Sequence, residues 1–334
     1  MSVLGTVSMC VGILLVLAVT IIIHELGHLC GGLATGYRLV TVRLLGLTVF
    51  RQSGSWAISL RSGRLPLAAQ CLMAPRRDED SFSYRLHLAG GFLGNFAVGL
   101  GGLVSLLTLD PSPPAETLLI ALVAANIIGG LTQAIPLSKE VPNDGWNLFE
   151  ASRGANGARD LRRVLVINGL LADGIRLRDI PESLFAPFPG VPDTGNAWML
   201  VIYRADRLND LGMRRRASEV FSSVRVEDLS GFQAGYVLSE ITYNNVVHGI
   251  DSEPLADLKE PVVQRYLRLK LPSSLRVRAA LAGLRDSDTD TAQAMLKEAR
   301  RRLPAIGVAG GIQSERDEID HLETVLRMQA GGKL

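Results

Sequence analysis

The chain has 334 residues, a length typical of about two domains. Its formal net charge is only +2, so the charge gives no argument for a nucleic-acid partner. The three cysteines, Cys10, Cys30 and Cys71, form no CxxC pair, which argues against a disulfide framework.

Apolar residues and charges are unevenly distributed along the chain. Long uncharged runs fill much of residues 1–137, and most of the charged residues follow them. This distribution predicts a membrane half followed by a soluble half. No lysine or arginine precedes Arg38, so the first apolar run lacks the basic start of a signal peptide and is expected to be a retained membrane helix.

Segments long enough to cross a bilayer of ~30 Å lie within Leu4–Gly36, near Leu86–Leu109 and near Ala115–Leu137. Arginines are frequent in the loop 37–85 and recur after the third span, whereas the connection from the second span to the third has no basic residue. The positive-inside rule therefore predicts a multi-pass protein with its N-terminus outside and its loop and C-terminal half in the cytosol. The expected location is a bacterial cytoplasmic membrane.

The first span carries ionisable residues in the sequence His24-Glu25-Leu26-Gly27-His28. His24 and His28 are separated by about one helical turn and project from the same helix face. Two imidazoles so placed can bind one zinc ion, and Glu25 can act as the general base on a water molecule. The alternative is a chance match in which the histidines cap the helix or reach the membrane interface.

The loop 37–85 has the alternation of β-strands. Trp56, Ile58 and Leu60 are predicted to face one side, Tyr37–Arg51 is rich in strand-forming residues, and Gln52–Ser55 is a plausible turn. A small sheet near the metal could hold an extended peptide by strand addition, or it could be an ordinary connecting hairpin.

The second span carries small residues and one amide. Gly90 and Gly94 form a small-xxx-small face that allows close helix contact. Asn95 needs a hydrogen-bond partner in the bilayer, and it is interpreted either as a link between helices or as a catalytic residue. Asn126, in the third span, is expected to link helices.

A catalytic zinc usually has three protein ligands and an open position. Candidates for the third ligand, all on the predicted side of His28, are Asp144, Glu140 and His87. Asp144 could instead be the N-cap of a short helix, and spacing does not choose among these alternatives.

Taken together, His-Glu-Leu-Gly-His in the first span and Asn-Asp-Gly after the third resemble the site-2 protease family of intramembrane zinc metalloproteases, over residues 1–155. The resemblance implies that His24, His28 and Asp144 bind Zn²⁺ and that Glu25 is the catalytic base. The segment 89–95 is similar to the family's AGPxxN motif, with Gly91 in place of the proline, and this would put Asn95 near the active site. Gln133, where the family has asparagine, and a long spacer before Asp144 are departures from the pattern.

The C-terminal half, residues 156–334, is predicted to be a cytosolic helical domain. Prolines at 181, 187, 189 and 192 predict a linker or irregular loop. Beyond them, residues at the spacing of a tetratricopeptide repeat occur in two sets: Ala205, Leu208, Gly212, Ala217, Phe221 and Val224, and then Ala280, Ala292, Leu296, Ala299 and Pro304. Such helical pairs usually bind peptides or partner proteins, and a plain helical bundle is the alternative.

The sequence thus predicts a mainly α-helical membrane protein with a three-helix metalloprotease core, a small β-rich insertion and a C-terminal helical domain. The leading functional hypothesis is a zinc endopeptidase acting on membrane proteins or peptides in the lipid bilayer, for regulated proteolysis or peptide maturation. The competing hypotheses are a non-catalytic membrane adaptor and a soluble-type metallopeptidase on an anchor. The last would place the motif outside the apolar run, and here the motif lies within it.

Overall fold

The computed structural model describes residues 3–44, 46–52, 55–59, 69–75, 83–137, 142–185, 192–248 and 257–331. The fold is mainly helical with a small four-stranded antiparallel sheet, as predicted. The chain divides into two compact units, which are described separately below. The first comprises Met1–Leu39, Ala69–Ser138 and Pro142–Ala158, and the second comprises Val40–Ala68, Lys139–Val141 and Arg159–Leu334.

Three long helices form most of the first unit: α1 (Val3–Ala34), α2 (Arg85–Thr108) and α3 (Pro113–Ala134). All three are long and apolar enough to cross a membrane, which agrees with the predicted spans. Proline at the start of α3 is tolerated because the first N–H of a helix has no intrahelical partner.

Helices α1 and α2 meet backbone to backbone. A Cβ atom added to Gly27 would lie 2.1 Å from the carbonyl oxygen of Gly90, and one added to Gly90 would lie 2.3 Å from the carbonyl oxygen of Gly27. A Cβ at Gly94 would lie 3.3 Å from the Ile23 carbonyl oxygen. The predicted small-residue face of α2 is therefore confirmed, and it packs on the part of α1 that carries the histidine motif.

A buried amide joins α3 to α1. The Asn126 side chain donates to the Thr20 hydroxyl at 3.1 Å and to the Leu122 carbonyl at 2.9 Å. Both partners lie in apolar helices where few polar atoms are available, so the predicted linking role of Asn126 is confirmed.

The sheet contains β1 (Arg38–Leu44), β2 (Leu47–Gln52), β3 (Ser55–Ser59) and β4 (Ala69–Ala74), in the order β3-β2-β1-β4. Gln52 pairs with Ser55 in the predicted hairpin, and Ser53, Gly54 and Leu60 lie outside the described residues. The single strand predicted within Tyr37–Arg51 is two strands, because Gly46, with a φ of 94°, turns the chain between them. Strand β4 was not predicted.

In the second unit, the hairpin β2–β3 packs its inner face on the helices. Phe50 lies opposite Ala57 across the two strands, and both contact the helical core. The outer face carries Trp56 and Ile58, whose side chains are 54% and 69% exposed. The alternation predicted for β3 is therefore present, with Ala57 facing inward and Trp56 and Ile58 outward.

The remaining helices are α4 (Asp144–Ser152), α5 (Gly154–Ala172), α6 (Gly195–Asp210), α7 (Arg214–Ser222), α8 (Gly231–His248), α9 (Pro261–Leu267), α10 (Pro272–Ala280), α11 (Thr289–Arg302) and α12 (Ala309–Gly331). Helices α6 and α7 form a hairpin in which Gly212, with a φ of 75°, makes the turn and Ala205, Ala217 and Phe221 are fully buried. In the second predicted set, Ala292 and Ala299 of α11 are also fully buried. The tetratricopeptide-like spacings thus fall on helical pairs, and the repeat family itself stays a prediction. Of the predicted linker, residues 186–191 lie outside the described part of the chain.

Candidate metal centre

Helix α1 brings the imidazoles of His24 and His28 together, as the spacing predicts. Their Nε2 atoms are 3.2 Å apart. The carboxylate of Asp144 reaches both rings, with its Oδ2 atom 3.0 Å from Nε2 of His24 and 3.1 Å from Nε2 of His28. The group is the one His/Cys/Asp/Glu cluster in the described ranges whose ligand atoms converge as for a metal ion.

The spacing of the three ligand atoms fits a small divalent cation. Tetrahedral ligands at ~2.0–2.1 Å from zinc are separated from one another by about 3.3 Å. The observed separations of 3.0–3.2 Å are close to this value. A cation among the three atoms would also relieve the repulsion between lone pairs that point at one another.

The second nitrogen of His28 is held by the backbone of α2. Its Nδ1 atom lies 2.8 Å from the carbonyl oxygen of His87. An N–H at this position donates to the carbonyl, so the neutral ring presents the Nε2 lone pair to the metal position. Metal-binding histidines commonly have such a partner, which fixes their tautomer and orientation.

Of the two candidates for the third ligand that the structure describes, Asp144 meets the histidines and His87 does not. The His87 ring does not join the group, and its Nδ1 atom contacts the His28 carbonyl oxygen at 3.3 Å. Glu140 lies outside the described residues.

Asn143, not Asp144, is the N-cap of α4, so the N-cap interpretation of Asp144 is wrong. The Asn143 side chain accepts from the Trp146 N–H at 2.9 Å and donates to the carbonyl oxygens of Thr132 and Ile135, both at 2.7 Å. Because Asn143 makes the capping bonds and ties α4 to the end of α3, the Asp144 carboxylate is left to reach the histidines.

Gly145 completes the local arrangement. A Cβ atom there would lie 2.2 Å from the carbonyl oxygen of Ala134. A residue with a side chain would push α4 away from the end of α3 and carry Asp144 with it. In the Asn-Asp-Gly sequence, the asparagine caps α4, the aspartate contacts both histidines and the glycine allows a close backbone contact.

The carboxyl group of Asp144 is held in its ionised form, which can bind a cation. Burial raises the pKa of its carboxyl, but the neighbouring imidazoles outweigh burial and lower the pKa to about 2. Its position in the first turn of α4 adds the favourable end of the helix dipole.

Glu25 is buried beside the three candidate metal ligands, with 8% of its surface exposed. Its carboxylate accepts a hydrogen bond from the backbone N–H of Cys71 in β4. Its Oε2 atom has no hydrogen-bond partner among the residues that the structure describes. One oxygen is thus held by the strand, and the other is available for a proton.

Gly91 of α2 leaves the space that the imidazoles occupy. A Cβ atom at this position would lie 2.5 Å from Cε1 of His24 and 2.5 Å from Nε2 of His28. Gly91 stands where the resembled family has proline. In this chain, any residue with a Cβ atom at that position would collide with the two imidazoles.

Asn95 lies one turn beyond Gly91 on α2 and is 2% exposed. Its Nδ2 atom is 3.1 Å from the position that a Cβ of Gly129 would take, so the side chain is directed towards α3. Its Oδ1 atom has no partner within the described ranges. The structure places Asn95 at the contact between α2 and α3, and a catalytic role stays a prediction.

No family model, curated protein or solved structure matches this chain. A function is therefore inferred from the site itself.

Proposed function

We propose that the protein is an intramembrane zinc endopeptidase that hydrolyses peptide bonds of membrane-embedded or membrane-associated substrates. The observation that carries this proposal is the convergence of His24, His28 and Asp144 on one point, with Glu25 buried beside them. All four side chains belong to the unit built from the three long apolar helices.

The ligand set supports zinc. Two imidazoles and one carboxylate, with a coordination position left open, are the donors of many hydrolytic zinc sites. When bound, zinc supplies a Lewis acid that polarises a carbonyl group and lowers the pKa of water to about 7. The His87 carbonyl orients His28 for this role from the adjacent helix.

Glu25 is the proposed general base. The Cys71 N–H fixes one side of the carboxylate, and the free Oε2 atom takes a proton from water and later passes it to the leaving amine. A site that only binds zinc needs no such carboxylate, which favours an enzyme over an adaptor.

The proposed substrate class is inferred from the position of the site among helices that are apolar enough to cross a membrane. A peptide helix within a bilayer has its carbonyl groups hydrogen-bonded internally, so it must unwind before a carbonyl can be attacked. The proposed substrates therefore contain helix-breaking residues or end close to the membrane surface. The arginine distribution supports a site that opens towards the cytosol.

The test compares the full-length wild type with Glu25→Gln in lipid nanodiscs, each loaded with zinc. The matched control is Glu116→Gln, an exposed carboxylate in the first turn of α3. The substrate is a synthetic membrane-spanning peptide with a proline near its cytosolic end, placed in the same nanodiscs, and new N-termini are counted. We expect hydrolysis by the wild type and by Glu116→Gln, and a loss of roughly 10²-fold or more with Glu25→Gln at unchanged zinc content.

The second candidate function is a membrane-anchored adaptor whose helical domain holds a partner. The helical pairs of the second unit are the feature that favours it. Unchanged hydrolysis in Glu25→Gln, or no zinc-dependent hydrolysis by any form, would count against the enzyme and favour the adaptor.

A further inference from the structure

The helical unit contains two adjoining cavities, of about 300 Å³ and about 290 Å³. The cavities share the side chains of Tyr203, Asp206, Tyr236, Ser273, Ile306 and Glu315. The volume of each is near the lower end of the range for ligand sites, and together they form a cleft, which we call the acidic cleft.

Three helices each line the acidic cleft with one face. The residues of α6 that line it are Met199, Ile202, Tyr203 and Asp206, whose spacings of three and four residues put them on one face of the helix. Helix α8 contributes Tyr236 and α12 contributes Glu315. Core residues of α6 and α8 belong to one hydrophobic cluster, which positions two of these three faces.

The cleft is apolar at one end. Met199, Ile202, Phe232, Leu271 and Pro272 line the first cavity, and Phe232 is 41% exposed. This wall can contact aliphatic groups of a bound chain while leaving its backbone accessible from outside.

The carboxylate of Asp206 lies where the two cavities meet, since it lines both of them. Its Oδ1 atom accepts a hydrogen bond of 2.6 Å from the Tyr236 hydroxyl. Burial, and the nearby carboxylates of Glu240 and Glu315, raise the pKa of Asp206 to about 8. The protein thus holds a carboxyl group in surroundings that disfavour its charge.

The cation nearest to this carboxylate is already engaged elsewhere. Arg276 is buried and donates to Glu240 at 2.7 Å and to Glu315 at 2.8 Å. In the described part of the chain, no ion pair joins Asp206 to a basic side chain. Asp206, Glu240 and Glu315 thus share the single positive charge of Arg276, so the cleft has more carboxyl groups than its own arginine can neutralise.

Arg43 also lines the apolar cavity, and its guanidinium is hydrogen-bonded to the backbone. Its guanidinium donates to the carbonyl oxygens of Ala305 and Ile306, at 3.0 Å and 2.8 Å. Ala305 and Ile306 lie in the turn that follows α11, and among the described residues Arg43 forms no ion pair with Asp206.

We infer that the acidic cleft is a binding site for a polypeptide segment that inserts an arginine or lysine side chain between apolar neighbours. The cation pairs with Asp206, the aromatic rings of Tyr203 and Tyr236 flank it, and the apolar wall takes the adjacent residues. Charge complementarity and the apolar wall select this occupant over an anion or a purely apolar ligand. The inference does not depend on the peptidase activity.

The probe is an acetylated, amidated heptapeptide, Ala-Ala-Leu-Arg-Leu-Ala-Ala, with a neutral fluorophore at its N-terminus. A second probe replaces arginine with citrulline, which has the same shape and no charge. Binding to the full chain in nanodiscs is followed by anisotropy, at a pH of about 8.5 where Asp206 is mostly ionised. The variants are Asp206→Asn, Tyr236→Phe and, as a control on an exposed carboxylate, Glu227→Gln.

We expect the arginine probe to bind roughly tenfold or more tightly than the citrulline probe, as a charge-assisted hydrogen bond requires. Asp206→Asn keeps an acceptor for Tyr236 and removes this preference, Tyr236→Phe weakens it, and Glu227→Gln leaves it unchanged. Equal binding of the two probes, no binding of either probe, or an arginine preference that survives in Asp206→Asn would overturn the inference. Binding of hexylguanidinium as tight as that of the arginine probe would contradict a polypeptide occupant.

Discussion

Gly145 and Ala134 touch through their backbones, since a Cβ atom on Gly145 would lie 2.2 Å from the Ala134 carbonyl oxygen. This contact joins the start of α4 to the end of α3, next to the residue whose carboxylate meets both histidines. The position of the third proposed ligand therefore depends on a residue that has no side chain.

Gly145→Ala is expected to weaken zinc binding by roughly tenfold or more, because the added methyl group displaces α4 and shifts Asp144. The measurement is zinc affinity by competition with a fluorescent chelator. Gly101→Ala in α2 is the control, since nothing lies within 4 Å of a Cβ at that position. Equal affinities in the two variants would contradict the role given to Gly145.

Gly91→Ala is expected to reduce zinc binding by a different route. Its Cβ would lie 2.5 Å from ring atoms of both histidines, so at least one imidazole must move. Zinc per chain, measured after dialysis, should fall well below that of Gly101→Ala. Full zinc content in Gly91→Ala would show that the rings can shift without losing the metal.

Asn143→Ala tests the N-cap of α4. The substitution removes one capping bond and two bonds to the end of α3, so α4 is expected to lose about 1 kcal/mol or more of local stability. Ser112→Ala is a matched control, because Ser112 is the N-cap of α3 and makes no capping hydrogen bond. We expect faster amide exchange in α4 and weaker zinc binding for Asn143→Ala alone, and identical exchange in both variants would contradict this.

Asp206 is expected to make the stability of the helical unit pH-dependent. Its pKa is raised in the folded protein to about 8, from the ordinary value of 3.8, so the folded state binds the proton more tightly than the unfolded state. Stability therefore falls as the pH rises between these two values and is independent of this group above them.

Asp206→Asn should remove that slope, since the amide carries no charge and still accepts from Tyr236. At a pH of about 8.5 we expect the variant to be more stable than the wild type by about 1 kcal/mol or more, or ~2–4 °C in Tm. At a pH below the ordinary aspartate pKa of 3.8, the wild type and Asp206→Asn should have the same Tm. If the Tm of the wild type does not fall relative to that of the variant as the pH rises, the pKa of Asp206 is not raised in the folded protein.

The sequence predicted those parts of the structure that depend on neighbouring residues. The pairing of His24 with His28 follows from helix geometry, and the three long helices follow from apolar length. The Gly90 face of α2 could also be predicted, because small residues one turn apart allow close approach.

The features that were missed depend on contacts between distant residues. Cys71, whose N–H meets Glu25, is far from Glu25 in the sequence, and the short segment 69–74 has no clear alternation. Asn143 and Asp144 are both good capping residues, so sequence alone could not assign the cap. The acidic cleft requires α6, α8 and α12 to pack together, and no local pattern encodes that packing.

The most direct test of the proposed function is a titration of zinc into the metal-stripped full chain, with hydrolysis of the proline-containing membrane peptide measured on the same sample. The account predicts no hydrolysis without metal and a linear rise that stops near one zinc per chain. Asp144→Asn should need a much larger excess of zinc to reach any activity. Full hydrolysis by the metal-stripped protein, or an unchanged titration curve for Asp144→Asn, would contradict a zinc peptidase built on His24, His28 and Asp144.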